Sequence, residues 1–455
     1  MGFFKAYDMR GTYGVDFGLD TVARVGQALP RVLDAKRWLV GRDCRTTSAD
    51  VREALVRGLH QAGAEVVDLG LCSTPMVYFF TARGDFDGSV MITASHNPPG
   101  DNGLKVSKRG ALPVGYANGL DEVEKLVPEM LPREECPLQE AEPLAAGASP
   151  LEEYVAWQKA AVDVSAFSSL DYAVDCSSGM ASLFARRMFP GAHLLNDTLD
   201  GTFSAHSPNP LKAEAREAAA AFVREKHLDC AVIFDGDADR AMFVDECGRF
   251  VQPDYLIPIV AQASGVKPGD KVIHDIRTSR GAIEAIRELG AEPVMVPVGH
   301  AFAKPILRST GALCGGELAG HYYFREFCCC DSGLLAATRI LSHFASYKAR
   351  TGGTFSGMMA GICGRYANSG EINFRVTDKK AATAAALAAA KEKIAGEAEV
   401  STIDGIRMDY ADGWFNIRES NTEPYLRLVA ECRTKEMLSR WLETLTSPIR
   451  SFQQP

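Results

Sequence analysis

The stretch WLVGRDCRTTSADVREALVRGLHQAGAEVVDL, residues 38–69, carries three hydrophobic rhythms in succession. The apolar run Trp38-Leu-Val40, leading into Gly41-Arg-Asp43, predicts a strand that ends in a turn. Ser48 to Gly63 repeats its apolar residues at helical spacing, and Glu65-Val-Val-Asp-Leu69 predicts a second strand. Strand, helix and strand in one short run predict a largely parallel sheet. The pattern echoes further on, where Asp43-Cys-Arg45-Thr46, a helix and Gly63-Ala-Glu65 reappear as Asp275-Ile-Arg277-Thr278, a shorter helix and Gly290-Ala-Glu292. A third version reads as a strand Tyr172-Ala-Val-Asp175, a turn Cys176-Ser-Ser-Gly179 and a helix from Met180 to Phe189. Internal similarity of this kind predicts three α/β units of common topology.

The 455 residues leave room for them, at roughly 100 to 200 residues per domain. The Pro/Ala/Glu-rich stretch Pro132 to Pro150 reads as a linker, a second boundary follows the hairpin-like Met242 to Val251 with Gly248 in its turn, and a third junction falls near Thr351 to Gly364. Beyond it come a strand at Glu371 to Val376, an Ala-rich helix from Asp378 to Ile394 with Gly396 as its stop, and short strands around Thr402 to Met408, Gly413 to Ile417 and Leu426 to Glu431. The expectation is three related α/β domains with mixed sheets, 1–147, 148–249 and 250–362, plus a smaller C-terminal α+β domain, 363–455.

Composition excludes several classes. Hydrophobic residues at 46% and charged residues at 24% are those of a globular chain. Lys plus Arg is 49 against 58 Asp plus Glu, a net charge of −9, which offers no electrostatic footprint for nucleic acid. An anionic ligand must then be held by a local basic pocket. Twelve cysteines include no C-x-x-C pair, and a strand through Cys328, Cys329 and Cys330 would point them to alternating faces, suiting neither a disulfide nor a metal cage. These features, with an N-terminus lacking a leader and no 18-residue apolar run, predict a cytoplasmic protein with no membrane association.

Four polar clusters carry the chemistry. Thr93-Ala-Ser95-His96-Asn97-Pro98-Pro99 follows the apolar Val90-Met-Ile92, which places Ser95 in a turn at a strand's end, where α/β proteins bind ligands; Lys105 adds a cation nearby. Asp235-Gly-Asp237-Ala-Asp239-Arg240 follows Ala231-Val-Ile-Phe234, and three carboxylates at this spacing converge only if a divalent cation offsets their repulsion. An EF-hand fails, because Arg240 stands where that loop needs Gly, although Glu246 holds the twelfth position. Gly315-Gly316-Glu317-Leu-Ala-Gly320-His321, with Gly299-His300 and Lys304 upstream, pairs flexible backbone with groups that bind sugar hydroxyls, or is simply a glycine-rich hairpin. Arg418-Glu-Ser420-Asn421-Thr422-Glu-Pro-Tyr-Leu-Arg427 has the donors to cradle a phosphate dianion, or is a polar hairpin turn.

Nucleotide, dinucleotide, serine-hydrolase and zinc-protease signatures are absent from the sequence. The four clusters in this order, from Lys5-Ala-Tyr7-Asp-Met-Arg10-Gly11 to Arg427, resemble the α-D-phosphohexomutase family, most closely its phosphomannomutase/phosphoglucomutase branch. The resemblance implies four domains arranged as a heart around a central cleft, each supplying one loop. It implies that Ser95 carries a phosphoryl group, that Asp235, Asp237 and Asp239 bind Mg²⁺ with a phosphoserine oxygen of residue 95, and that His96 lies beside it.

Phosphoserine carries roughly −2 of charge, which Mg²⁺, Arg240 and Lys105 would balance. Arg10, Lys105 and His300 are the family-like candidates for proton transfer or charge neutralisation; an arginine suits the electrostatic role, a desolvated lysine and a histidine titrating near neutrality suit acid–base work. Glu317 and His321 resemble the sugar-binding pair, with Tyr7, Arg277 and Lys304 beside them, and Arg418, Ser420, Asn421, Thr422 and Arg427 resemble the distal phosphate clamp.

The implied reaction interconverts hexose 1-phosphate and hexose 6-phosphate through a bound hexose 1,6-bisphosphate, which also serves as activator. The implied partners are sugar phosphates, in a monomer or weak homodimer. Ala319 stands where many relatives carry Ser, and Arg277 where many carry Lys. The competing readings are phosphoglucosamine mutase, a Mg²⁺-dependent phosphatase using an aspartate nucleophile, and a non-enzymatic metal-dependent sugar-phosphate sensor.

Overall fold

In the computed structural model, which describes residues 2–131, 141–144, 149–420 and 425–453, the decisive stretch folds as strand Arg37–Arg42, helix Ser48–Gln61 and strand Glu65–Leu71, its two strands paired in parallel. Lys271–Asp275, helix Arg280–Glu288 and Glu292–Val296 repeat the unit, and Tyr172–Asp175 pairs in parallel with His193–Leu195. At or directly after the end of each first strand stands an aspartate whose Oδ1 accepts the backbone N–H two residues on: Asp43 from Arg45 at 3.0 Å, Asp175 from Ser177 at 2.8 Å, Asp275 from Arg277 at 2.7 Å. The echo in the sequence is this Asx turn.

A third strand flanks each pair on the other side and turns back as an antiparallel hairpin. Gly88–Ile92 returns as Asp101–Lys108, Cys230–Phe234 as Ala241–Asp245, and Cys314–Gly316 as Tyr322–Phe324. The hairpin connections hold Ser95, the aspartate trio and Glu317–His321, so one topological position supplies three of the four clusters. The fourth lies between Gly413–Glu419 and Leu426–Cys432, in a last sheet whose described pairings are all antiparallel.

Four departures from expectation have local causes. The helix read at 180–189 is two short turns, Met180–Leu183 and Ala185–Met188, because φ opens to −118° at Phe184, whose ring packs 5.9 Å from that of Phe234. The junction read at Thr351 to Gly364 contains helix Phe355–Cys363, and Phe355 stacks 5.5 Å from Phe243. The cysteine triplet is a turn rather than a strand: Cys328 and Cys329 are left-handed (φ 54° and 60°), and only Cys330 enters the short strand Cys330–Asp331. The segment read as a strand around 402–408 begins as a turn and becomes strand only at Ile406–Tyr410, whereas the Ala-rich helix Lys379–Lys393 is capped by Asp378 and ends at Ile394 as expected. The closing helix Lys435–Arg450 had no counterpart in the sequence reading. Most of the Pro132 to Pro150 linker lies outside the described residues. Among the described residues, no helix is long and apolar enough to cross a membrane.

One apolar core runs through the first three domains. Its centre is an aromatic cluster in which Phe79 of the first domain, Tyr154 and Trp157 of helix Pro150–Ala161 and Phe327 of the third domain have ring centres 5.4 to 6.4 Å apart. The C-terminal domain has its own core, joined to the rest by the small contact of Leu318 with Trp414 and Val429. Around that contact the seam is polar: Arg407 donates to the carbonyls of Ile276 and Thr278, and the Arg280 backbone donates to Glu431. Replacing Phe327 by Ala is expected to destabilise the first three domains together by about 3 to 5 kcal/mol. Urea unfolding should then show one transition moved to lower denaturant, and an unmoved midpoint would refute the shared core.

Candidate active site

Strand Gly88–Ile92 delivers Ser95 into a turn where its own φ is +53°, a left-handed conformation that costs a non-glycine residue about 1 to 3 kcal/mol. Its backbone N–H bonds to Thr93 Oγ1 at 2.8 Å, and its hydroxyl donates to Asp235 Oδ2 at 3.2 Å, across the boundary between domains. Gly236 permits this approach, because a Cβ there would lie 2.6 Å from the Ser95 carbonyl.

The aspartate trio is buried and convergent, as the spacing predicts. Lys105 Nζ lies 2.7 Å from both Asp237 Oδ2 and Asp239 Oδ2, and Thr74 Oγ1 donates to Asp237. Asp237 Oδ1 and Asp239 Oδ1 are buried without a hydrogen-bond donor among the described residues. Burial, reinforced by Asp239 and Asp237, pushes the Asp235 carboxyl well above the carboxylate range. For Asp239 burial acts the same way, but Lys105 and His321 outweigh it and hold the group at about 2. Oxygens without donors beside a carboxyl forced towards protonation are the environment that a divalent cation relieves, so the residues present fit one. Glu246, the EF-hand's twelfth position, is bonded to the backbone N–H of Ser356 at 3.0 Å instead.

Arg240 Nη2 lies 2.9 Å from His96 Nδ1. An arginine only donates, so Nδ1 is the acceptor and the ring proton is on Nε2. Burial and then Arg240 push His96 well below its ordinary value, in agreement with a neutral ring. Lys105 differs from the sequence expectation: burial alone would release its proton, but Asp237 and Asp239 raise it above the ordinary lysine range. It is a fixed cation here. Arg10 is paired with Asp8 and donates to Asn97 Oδ1 at 3.2 Å, and its charge is strengthened despite burial. His300 also departs from near-neutral titration, since burial and Lys304 push it well below 6.5; it is a neutral imidazole whose buried Nδ1 has no hydrogen-bond partner among the described residues.

The third loop docks on the second through a bridge between Arg240 and His321. His321 Nδ1 sits 2.7 Å from Asp331 Oδ2, and Lys304 Nζ is 2.8 Å from the other oxygen and 3.5 Å from the centre of the Tyr78 ring. Glu317 accepts from Tyr323 and is pushed up by burial. Tyr7 reaches over from the first domain, donating to Val298 O at 2.8 Å, and its ring fills the space where a Cβ on Gly299 (φ +117°) would be.

Arg277, Arg418 and Arg427 form a second cluster. Arg277 Nη1 and Arg427 Nη1 lie 2.9 and 2.8 Å from Glu371, with Arg418 3.9 Å away. Arg277 also pairs with Asp275, and comes within 4.0 Å of Glu317, linking the two clusters. Ser420 donates its N–H to Tyr425 O at 2.9 Å, while Asn421 and Thr422 lie outside the described residues.

Sequence reasoning missed Asp331, Glu371, Thr74, Asp8 and Asn97. Each is the partner of a residue it did find; Asp8 and Asn97 stand inside motifs without being singled out, and Asp331, Glu371 and Thr74 stand in none. Asp331 had one available signal, its place directly after a cysteine triplet that serves no other evident purpose.

Family models of phosphoglucomutase/phosphomannomutase match this chain in four pieces: alpha/beta/alpha domain I over residues 1–130, domain II over 152–248, domain III over 252–366 and the C-terminal domain over 371–446. A protein of Xanthomonas campestris pv. campestris (strain B100) described as phosphohexose mutases is 37% identical, the match covering 99% of this chain and 98% of that one. A phosphomannomutase of Salmonella montevideo is 35% identical over 96% and 98%. Among solved structures, a phosphoglucomutase/phosphomannomutase family protein from Burkholderia thailandensis superposes with a TM-score of 0.81 at 28% identity, over 99% and 97% of the two chains.

Asp331 is the carboxylate that His321 and Lys304 share, so Asp331→Asn strands Lys304 as a buried charge. The expected loss is about 3 to 5 kcal/mol of stability. Thermal unfolding checks it, and a variant as stable as the parent would show that Asp331 does not neutralise this pocket.

Proposed function

The chain belongs to the phosphoglucomutase/phosphomannomutase family, enzymes of the isomerase class that move a phosphoryl group within a hexose phosphate, and we propose that it does so through a phosphoserine at residue 95. The observation that carries this reading is the Ser95 hydroxyl, held 3.2 Å from a buried carboxylate whose two neighbours each carry a buried oxygen with no donor among the described residues. Asp235, Asp237 and Asp239 would hold Mg²⁺ together with an oxygen of the phosphorylated serine, and the bound ion would neutralise charge on the phosphoryl oxygens.

The remaining steps are work for the chain's own residues. In the first transfer the bond from Ser95 Oγ to phosphorus breaks, Oγ keeping the bonding pair with which it later takes up the 1-phosphate, while the free 6-hydroxyl of a hexose 1-phosphate bonds to the phosphorus. The hydroxyl proton leaves for the neutral His300, whose Nδ1 has no hydrogen-bond partner among the described residues. Arg240, Lys105 and Arg10 are fixed cations around the transferring group; the two carboxylates on Lys105 make it a poor proton donor. His96, locked by Arg240 with its proton on Nε2, can donate to a phosphoryl oxygen.

The 1,6-bisphosphate then turns end for end and returns its 1-phosphate to Ser95, the proton passing back to the departing oxygen to release hexose 6-phosphate. A hexose 1,6-bisphosphate would load the serine at the outset. Glu317 and His321, with Tyr7, Arg277 and Lys304 supporting them, would meet sugar hydroxyls in either orientation. Arg418 and Arg427, with Ser420, Asn421 and Thr422, would grip the phosphate remote from the chemistry. Mannose and glucose 1-phosphates are the proposed substrates.

Intact mass of the isolated protein is expected to show a phosphoryl adduct that Ser95→Ala loses together with turnover. Turnover surviving in that variant would favour an aspartate-nucleophile phosphatase. Mannose, glucose and glucosamine 1-phosphates assayed side by side should rank by kcat/KM with glucosamine last; the reverse order would move the chain to the glucosamine branch. For His300 the sign follows from its burial. A histidine pushed below 6.5 is unprotonated at neutral pH, so activity should hold through pH 7 and fall only on the acid side of 6.5. An acid limb above pH 7, or one unchanged in His300→Asn, would exclude it as the base.

A further inference from the structure

A serine side chain has one torsion of consequence, so the direction of Ser95 Oγ is set by the backbone that carries it. That backbone is strained, and a turn this tight aims several carbonyls at one point. The carbonyls of Ser95, Asn97, Pro98 and Asp101 converge on the guanidinium of Arg45: Nη2 donates to Ser95 O at 2.9 Å and Asn97 O at 2.7 Å, Nη1 to Pro98 O at 2.6 Å and Asp101 O at 2.9 Å. A guanidinium has four terminal N–H groups, and all four are used on this one loop.

The cation is itself fixed. Its Nε lies 3.2 Å from Asp43 Oδ2, Asp43 is held by the Ser48 hydroxyl at 2.5 Å, and the Phe203 ring of the second domain covers the guanidinium with its centre 5.0 Å away. Arg45 is 2% exposed and has no terminal donor left for a ligand. The same second domain that brings the Asp235 carboxylate to the serine hydroxyl therefore also closes the back of the serine's loop.

We propose that Arg45 is a positioning residue for phosphoryl transfer. Its planar fork gathers four carbonyls that would otherwise repel one another, holds Ser95 in the left-handed conformation, and so keeps Oγ aimed at the trio. A lysine has the charge but only three donors from one point, and cannot reproduce the pattern. The proposal rests on the reading of Ser95 as the residue that is phosphorylated.

Arg45→Lys tests it. Dephosphorylated protein is mixed with glucose 1,6-bisphosphate and the gain of phosphoryl mass is timed, alongside kcat and KM for mannose 1-phosphate and the thermal midpoint. The expected result is loading and kcat both about 100-fold slower, since a displacement near 1 Å is enough for that, with KM changed by less than about 3-fold. Loading and kcat within about 3-fold of the parent in a folded Arg45→Lys would overturn the proposal, as would a fall in kcat matched by the folded fraction alone. Should Arg45→Lys not fold, Phe203→Leu decides: it removes only the ring over the cation, and is expected to slow loading about 2- to 5-fold with KM unchanged, an unaltered rate counting against the proposal. Ser95→Ala in the same mass assay separates the two readings, because phosphoryl gain there would sink the premise about Ser95 whatever Arg45 does.

Discussion

Three buried carboxylates facing one hydroxyl are the constraint from which the rest of this structure follows. Asp235, Asp237 and Asp239 repel one another at close range with little water to screen them, and Lys105, Arg240 and the hydroxyls of Ser95 and Thr74 supply only part of the compensation. A site left short of positive charge in this way is selective for a ligand that brings a cation with it. It also explains why neighbouring groups are held so firmly: Arg10 by Asp8 and Asn97, His96 by Arg240, His321 and Lys304 by Asp331. The tautomer of His96 and the charge of Arg10 are fixed before a substrate arrives.

Topology makes this concentration possible. The hairpin after the strand beside Arg37–Arg42, Tyr172–Asp175 or Lys271–Asp275 always leaves the sheet at the same place, so three copies of one fold present three equivalent turns. The turns diverged in chemistry while the strands beneath them kept their pairing. The first carries the serine proposed to take up the phosphoryl group, the second anions, the third hydrogen-bonding groups and a histidine. Glycine at 236 is what lets two of them touch.

The α/β class, the three-fold echo and the four clusters were legible because each is local: apolar periodicity, an Asx turn, runs of polar residues at strand ends. The convergence of the trio was legible too, since repulsion at that spacing demands a reason. What escaped has a common cause. Asp331 and Glu371 act by pairing with residues distant in sequence, so nothing in their own neighbourhood marks them, and the protonation states of Lys105 and His300 likewise depend on burial and on distant groups, Asp237 and Asp239 for the first and Lys304 for the second. Met180 to Phe189 has helical periodicity, but the shared core takes Phe184 and breaks the run. The cysteine triplet resisted reading because its backbone matters more than its thiols: two left-handed residues turn the chain so that Asp331 enters the pocket and Ser332 caps the helix that follows.

The seam around the C-terminal domain differs in kind from the interior of the other three. Those three share oil, so that parting them wets aromatic rings. The last is moored chiefly by guanidinium groups to carboxylates and carbonyls, with one small apolar contact at Leu318 and Trp414. Ionic moorings exchange their partners for water and dissolved salt at modest net expense. The groups proposed to react are thus set on the shared apolar interior, and the proposed grip on the far phosphate is mounted across a seam whose attachments are mainly polar.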